Sequence, residues 1–244
     1  MKSLIKKILP TWLVDIIKYR RRRNIFKNKS ISETFTYINE SGYWKSEESV
    51  SGDGSELQVT EELSRKLEQL IRNKYIKSIL DLPCGDFNWM KKVNLKDINY
   101  IGADIVENLI KSNQKKYSTL NTNFKVLDVT KDTLPKVDLI FCRDCLVHFS
   151  YKDIYKALTN IKKSKSKYLL TTCFYRCEEN KDIITGEWRK LNFELPPFNF
   201  KNPIEIIDEK YTTKGIKYSD KAMYLWRVSD ISIPMKLRLF YWFT

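Results

Sequence analysis

Three aspartates stand where short apolar runs end. Asp81 lies within Ser78-Ile-Leu-Asp-Leu-Pro-Cys-Gly-Asp86, Asp104 closes Tyr100-Ile-Gly-Ala, and Asp128 closes Phe124-Lys-Val-Leu. An ionised carboxylate accepts hydrogen bonds through both oxygens. Pro83 stops the first run and Gly85 permits a tight bend, which makes a turn whose backbone N–H groups face a ligand. A fourth run, Val137-Asp-Leu-Ile-Phe-Cys142, leads into Arg143, Asp144 and His148, the only histidine in the chain. An imidazole titrates near neutrality and is suited to moving a proton. Arg143, Arg176 and Arg189 can each grip a carboxylate or phosphate through two parallel hydrogen bonds, or serve equally well in a salt bridge.

Positioning these groups requires strands that deliver them to one edge. The pattern predicts strands over 78–83, 99–105, 124–129, 137–142 and 167–174, with helices near 88–92 and 107–116 between them. Asn88 is a candidate cap for the first of these helices. Ser150 with Asp153 resembles a capping box for a later helix that turns Ile154, Leu158 and Ile161 inward, and Ser55 with Gln58 resembles another, opening a helix with Leu63, Leu67, Leu70 and Ile71 on one face. Strands that alternate with helices imply an α/β fold with a parallel sheet, its ligands in the crevice beyond the C-terminal strand ends. Two further strands are expected at 203–207 and 224–228. Residues 41–56 hold three of the seven glycines together with Tyr43 and Trp44, and they are expected to form a lid over the ligand. Residues 175–200 are long, polar and aromatic and contain Arg176, Glu187, Trp188 and Arg189. Long structured loops usually serve function, so this segment is assigned to substrate.

The net charge of +14 is mostly a property of one end, because residues 1–30 hold ten Lys and Arg against Asp15 alone. Leu4, Ile5, Ile8, Leu9, Trp12 and Leu13 recur there at helical spacing among lysines, an apolar stretch too short to span a bilayer. Such a segment can lie on an anionic membrane surface, here through residues 1–29, or dock on its own domain or a partner subunit. The expected organisation is a basic amphipathic N-terminal extension over 1–40, a domain over 41–232 and an apolar tail over 233–244. The odd count of five cysteines suggests a reducing, cytoplasmic setting, peripheral to the inner membrane face if the extension binds it. Cys142-x-x-Cys145 and Cys173-x-x-x-Cys177 make a thiolate metal site conceivable, but small apolar packing is the preferred reading and no metal is expected.

With an acid at each expected strand end, residues 76–230 resemble the class I S-adenosylmethionine-dependent methyltransferases. The resemblance implies a Rossmann-like, seven-stranded, mostly parallel sheet flanked by helices, with the last two strands forming an antiparallel closure. The implied cofactor is S-adenosyl-L-methionine. Its methionine part would meet Asp81, Pro83, Cys84 and Gly85, its ribose Asp104 and Ile105, and its adenine Asp128 and Val129, with Arg143 beside it. The chain departs from the family's three-glycine signature, since Pro83 and Phe87 replace the outer two. His148 falls where the family places residues beside the transferring methyl, so it is the expected base, with Asp144 as a second base or as its orienter. Tyr43, Trp44, Arg143, Arg176, Glu187, Trp188 and Arg189 are the expected acceptor contacts.

The Asn/Asp-Pro-Pro-aromatic signature of nucleobase amino-methyltransferases is missing, which argues against nucleic acid as acceptor. A looser resemblance, in 44–55, 81–86 and 142–148, is to bacterial methyltransferases associated with surface-polysaccharide gene clusters. It implies O-methylation of a capsular polysaccharide sugar or of a phosphate-like group such as a phosphoramidate. An RNA or small-molecule methyltransferase is the alternative, and a non-catalytic cofactor-binding or membrane-associated scaffold is the alternative from another class.

Overall fold

The computed structural model describes residues 25–211 and 218–233. The N-terminal stretch 1–24, most of the expected basic amphipathic extension, and the tail from 234 onward lie outside the described residues. Seven strands form one sheet, β1 (Ser78–Asp81), β2 (Asn99–Asp104), β3 (Thr122–Val126), β4 (Leu139–Cys142), β5 (Tyr168–Phe174), β6 (Glu205–Asp208) and β7 (Lys221–Arg227), in the order β3-β2-β1-β4-β5-β7-β6. The first five run parallel, and β7 is antiparallel to both β5 and β6. The register sets Asp81 beside Gly102 and Phe141, so the ends of the central strands open on one edge.

Helices α1 (Ile31–Glu40), α2 (Leu57–Asn73), α3 (Glu107–Tyr117) and α4 (Tyr151–Lys163) accompany the sheet. Helix α4 buries Ile154, Leu158 and Ile161 as its spacing predicts, and Ser150 Oγ accepts from the Asp153 N–H at 3.2 Å. Helix α2 buries Leu63, Leu67, Leu70 and Ile71, again as expected. Its start differs. The Ser55–Gln58 box is not formed; the carboxylate of Glu48 reaches across and accepts from the Leu57 N–H at 2.9 Å. Continuous apolar strands carry this architecture, since β4, β5 and most of β7 are buried along their length between two layers.

Three expectations are corrected. The helix expected near 88–92 is only a short 3-10 turn over Met90–Lys92. Phe87 takes a positive φ of 59° to bury its ring, and the Asn88 N–H turns back to Asp86 Oδ1 at 3.3 Å, a local bond that competes with helical pairing. The domain begins before residue 41. Helix α1 buries Thr34 and Ile38, Phe26 is 2% exposed, and Ile31 and Phe35 pack against the main core, so residues 26–40 belong to the domain body. Finally, the end of the 175–200 segment packs into the core instead of overhanging the site: Leu191, Phe193 and Phe198 are fully buried, and Phe193 and Phe200 pack on Trp226.

Candidate active site

Beyond the C-terminal ends of β1, β2 and β4 lies a cavity of about 570 Å³, roofed by α1 and by residues of the 41–56 segment. Its floor is the turn after β1. Gly85 has φ of 55°, and a Cβ there would stand 2.3 Å from Ser51 Oγ, so both conformation and space demand glycine. The 41–56 segment is fastened to this turn by Asp86, whose carboxylate accepts from Ser49 Oγ and from the Val50 N–H, each at 3.0 Å. Asn88 Nδ2 adds a bond to the Ser55 carbonyl at 3.1 Å. Tyr43 and Trp44 line the cavity.

The three acids converge here. Asp104 accepts from the Val106 N–H at 3.0 Å and from the Gly85 N–H at 3.3 Å, one bond on each carboxylate oxygen, which leaves lone pairs for a ligand. Burial raises its pKa to about 6 against those two hydrogen bonds. Asp81, buried at the end of β1, accepts from the Tyr100 hydroxyl at 2.5 Å, and burial lifts its pKa to about 8. Asp128 holds its own turn by accepting from Thr130 Oγ1 at 2.6 Å. Pro83, Cys84, Ile105 and Val129 line the same cavity.

At the other end, His148 Nδ1 meets the Glu187 carbonyl at 2.9 Å. A carbonyl only accepts, so Nδ1 carries the proton and Nε2 keeps its lone pair. Trp44 covers the imidazole with ring centroids 4.3 Å apart, and burial lowers the His148 pKa to about 4. Asp144 does not orient His148 through a hydrogen bond. Its Oδ2 takes the Lys221 ammonium at 2.5 Å, and its Oδ1 lies 3.3 Å from Thr172 Oγ1. Burial pushes its carboxyl up, but Lys221 and then Arg143 outweigh that and leave it at about 2.

The arginines are placed differently from expectation. Arg143 lines the cavity, but Nε and Nη2 are both taken by Glu209, at 3.2 and 2.7 Å, and its guanidinium lies over Trp89. Arg189 is buried and donates to the carbonyls of Leu146, Val147, Phe149 and Lys181, so it braces the His148 turn instead of gripping a ligand. Arg176 is exposed over Tyr175 and lies outside the cavity, as does Glu187, whose Oε2 accepts from the Ile184 N–H at 3.0 Å. Trp188 alone of residues 175–200 reaches the cavity wall. Sequence reasoning missed Glu209 and Lys221, which lie 66 and 77 positions from their partners Arg143 and Asp144 and carry no local signal. Among the described residues no group of three or more His, Cys, Asp or Glu is placed to hold a metal ion.

Comparison with known proteins agrees with this geometry. Residues 79–165 match a family model described as a methyltransferase domain. Among solved structures, the N-methyltransferase NodS from Bradyrhizobium japonicum WM9 is similar at 13% identity with a TM-score of 0.53, over 70% of this chain and 96% of that one. The magnesium protoporphyrin IX methyltransferase of Synechocystis PCC 6803, solved with bound SAM, is similar at 12% identity with a TM-score of 0.52, over 82% and 97%. A S-adenosylmethionine-dependent methyltransferase from Clostridium acetobutylicum ATCC 824 is similar at 14% identity with a TM-score of 0.50, over 68% and 90%. No curated protein matches by sequence.

The residues present fit S-adenosylmethionine. Asp104 keeps lone pairs for a pair of ribose hydroxyls, and the backbone at Gly85 has a positive φ and a close approach by Ser51 that disfavour any side chain. The lining contains six aspartates against Lys45, Arg143 and Lys221, a balance that suits a cationic ligand. Residues 79–165 thus carry a methyltransferase domain match within a seven-stranded, Rossmann-like sheet, and the chain has the fold of the S-adenosylmethionine-dependent methyltransferases.

Proposed function

We propose that this protein is a S-adenosylmethionine-dependent O-methyltransferase whose acceptor is a hydroxyl of a bacterial surface saccharide, a phosphate-like substituent on it, or a precursor of either. The observation that carries the reading is the joining of two half-sites in one cavity: an acid-lined end built from Asp81, Gly85, Asp104 and Asp128, and an aromatic end holding a neutral imidazole. The cofactor, when bound, supplies an electrophilic methyl on a sulfonium. Asp104 would hold the ribose hydroxyls and Asp128, with the Val129 backbone, the adenine. His148 Nε2 takes the acceptor hydroxyl's proton as the oxygen gains the methyl, and the Glu187 carbonyl fixes the tautomer that makes this possible. Tyr43, Trp44 and Trp188 enclose the acceptor and exclude water. No helix among the described residues is long and apolar enough to cross a membrane. Contact of residues 1–29 with an anionic membrane surface remains part of the proposal, since it would bring the site to membrane-linked precursors.

Calorimetric titration of S-adenosylmethionine and S-adenosylhomocysteine into the wild type and Asp104→Ala is the test. Wild-type binding that weakens at least about a hundredfold in the variant is expected, because a carboxylate shared by two hydroxyls contributes about 1.5–3 kcal/mol per charged hydrogen bond. A well-folded wild type that binds neither ligand would refute the proposal.

A further inference from the structure

The acceptor end of the cavity contains two strong cations, yet neither is free. Arg143 is clasped by Glu209, Lys221 bonds Asp144 and lies 3.3 Å from Glu209, and Arg143 Nη1 lies 3.6 Å from Asp144. The four side chains sum to zero charge, and all but Asp144 are nearly or fully buried, at 5% exposure or less. His148 adds none, being neutral. The remaining described base of the lining, Lys45, is exposed at the rim, in a hollow it shares with Glu47, Asp53 and Glu56. An anionic acceptor would therefore meet no uncommitted buried cation among the described residues. It would have to break a buried pair to gain one, which strands a charge at a cost of several kcal/mol.

What the acceptor end offers instead is aromatic surface and hydrogen-bond acceptors. Phe174, Trp188, Tyr218 and Tyr211 form a chain of edge-on rings with successive centroids 5.8, 5.3 and 5.9 Å apart. Facing the same cavity, the Trp44 ring lies tilted over His148, with its centroid 5.9 Å from that of Phe35. Trp188 is 39% exposed and Tyr43 40% exposed, large ring faces with room for a partner. Between these walls, the exposed part of Asp144, 31% of its side chain, and the Nε2 lone pair of His148 can accept from further hydroxyls of a ligand. A ring with apolar C–H faces and hydroxyl edges meets both demands together.

We infer that the acceptor is an uncharged, polyhydroxylated ring, a neutral glycosyl group, and that the Arg143–Glu209–Lys221–Asp144 tetrad serves to reject anionic counterparts. This rests on the methyltransferase reading and narrows it, setting the phosphate-like acceptors aside. Rejection comes from occupied cations rather than from absent ones, a form of specificity built by withholding partners.

The experiment titrates neutral methyl hexopyranosides and heptopyranosides, and the hexose 6-phosphates and hexuronates of matching configuration, into the full chain saturated with S-adenosylhomocysteine. Tryptophan fluorescence and calorimetry report binding, and methyl transfer is followed in parallel with S-adenosylmethionine. At least one neutral glycoside is expected to bind about tenfold or more tightly than its anionic counterpart. Asp144→Asn leaves Arg143 and Lys221 sharing Glu209 alone, a net positive charge at the acceptor end, and should shrink that ratio. Trp188→Ala should weaken glycoside binding about tenfold while S-adenosylhomocysteine binding holds, a readout that survives if Asp144→Asn fails to fold. Equal or tighter anion binding, an unchanged ratio in folded Asp144→Asn, or no glycoside binding to the saturated protein would overturn the inference. Failure of S-adenosylhomocysteine itself to bind would instead remove the methyltransferase reading beneath it.

Discussion

His148 is prepared for one protonation state by partners that act at different atoms. Nδ1–H donates to the Glu187 carbonyl, and burial under Trp44 pulls the imidazole down to about 4, with that hydrogen bond and then Asp144 opposing only in part. The ring is therefore neutral across the physiological range, and kcat at saturating cofactor should be flat through the pH at which a free imidazole titrates. A limb falling with acid should emerge only as pH approaches about 4. His148→Gln should lower kcat by about 10²–10⁴-fold and abolish that limb; near-wild-type turnover with the same pH profile would show that the imidazole is only packing. Asp81 makes a separate prediction. Burial raises it to about 8, so in the free protein at neutral pH it holds a proton that an arriving cation would displace. Cofactor uptake should then release protons, and affinity should fall as pH drops below that value. Calorimetry in buffers of differing ionisation enthalpy reads this directly, and an observed heat independent of buffer would contradict it.

The element that completes the site is the 41–56 segment, and Asp86 makes two of the side-chain bonds that fasten it to the turn after β1. Asp86 receives both Ser49 Oγ and the Val50 N–H, while Gly85 leaves the gap into which Ser51 fits. Asp86→Ala removes two charge-assisted bonds, about 2–4 kcal/mol of local anchoring. The segment should become cleavable by protease, and cofactor affinity should fall by about tenfold or more while the fold persists; unchanged cleavage would show that the roof is held elsewhere. Strand ends were readable because a buried parallel strand announces itself as an apolar run, and its terminal acid comes with it. The roof's glycines and aromatics were readable too, though not the anchor: Ser49 and Asp86 meet across 37 positions. The missing helix near 88–92 was hidden for a different reason. Trp89, Met90 and Val93 are all buried, so the spacing of apolar residues suggested a helix while a side-chain bond at Asp86 and the φ of Phe87 decided against one.

Across the whole molecule, the acid-lined end of the cavity comes from the first half of the sheet and the charge-balanced end depends on its second half. Glu209, just past β6, and Lys221, the first residue of β7, return to close a network opened by Arg143 and Asp144 after β4. Such long-range pairing leaves no periodic trace, which is why Arg143, Arg176 and Arg189 looked alike in sequence and proved to be a tetrad member, an exposed residue and a turn brace. The tetrad also ties site electrostatics to global stability. Glu209→Gln keeps the shape but leaves two buried cations sharing Asp144, and should destabilise the protein by about 3–5 kcal/mol. Arg143→Met with Glu209→Leu removes charge in a balanced way and should cost much less, because desolvation of both ions is relieved together. Urea denaturation of both variants measures the difference. Acid provides the independent check through Asp144, whose depressed carboxyl contributes stability above the usual 3.8 and loses it as pH falls through about 2. Lys221→Met should flatten that part of the stability–pH curve, since the ammonium is the largest influence holding the carboxyl down. A Glu209→Gln protein as stable as the wild type would mean that water reaches the tetrad, and the anion rejection inferred from its closure would lose its physical basis.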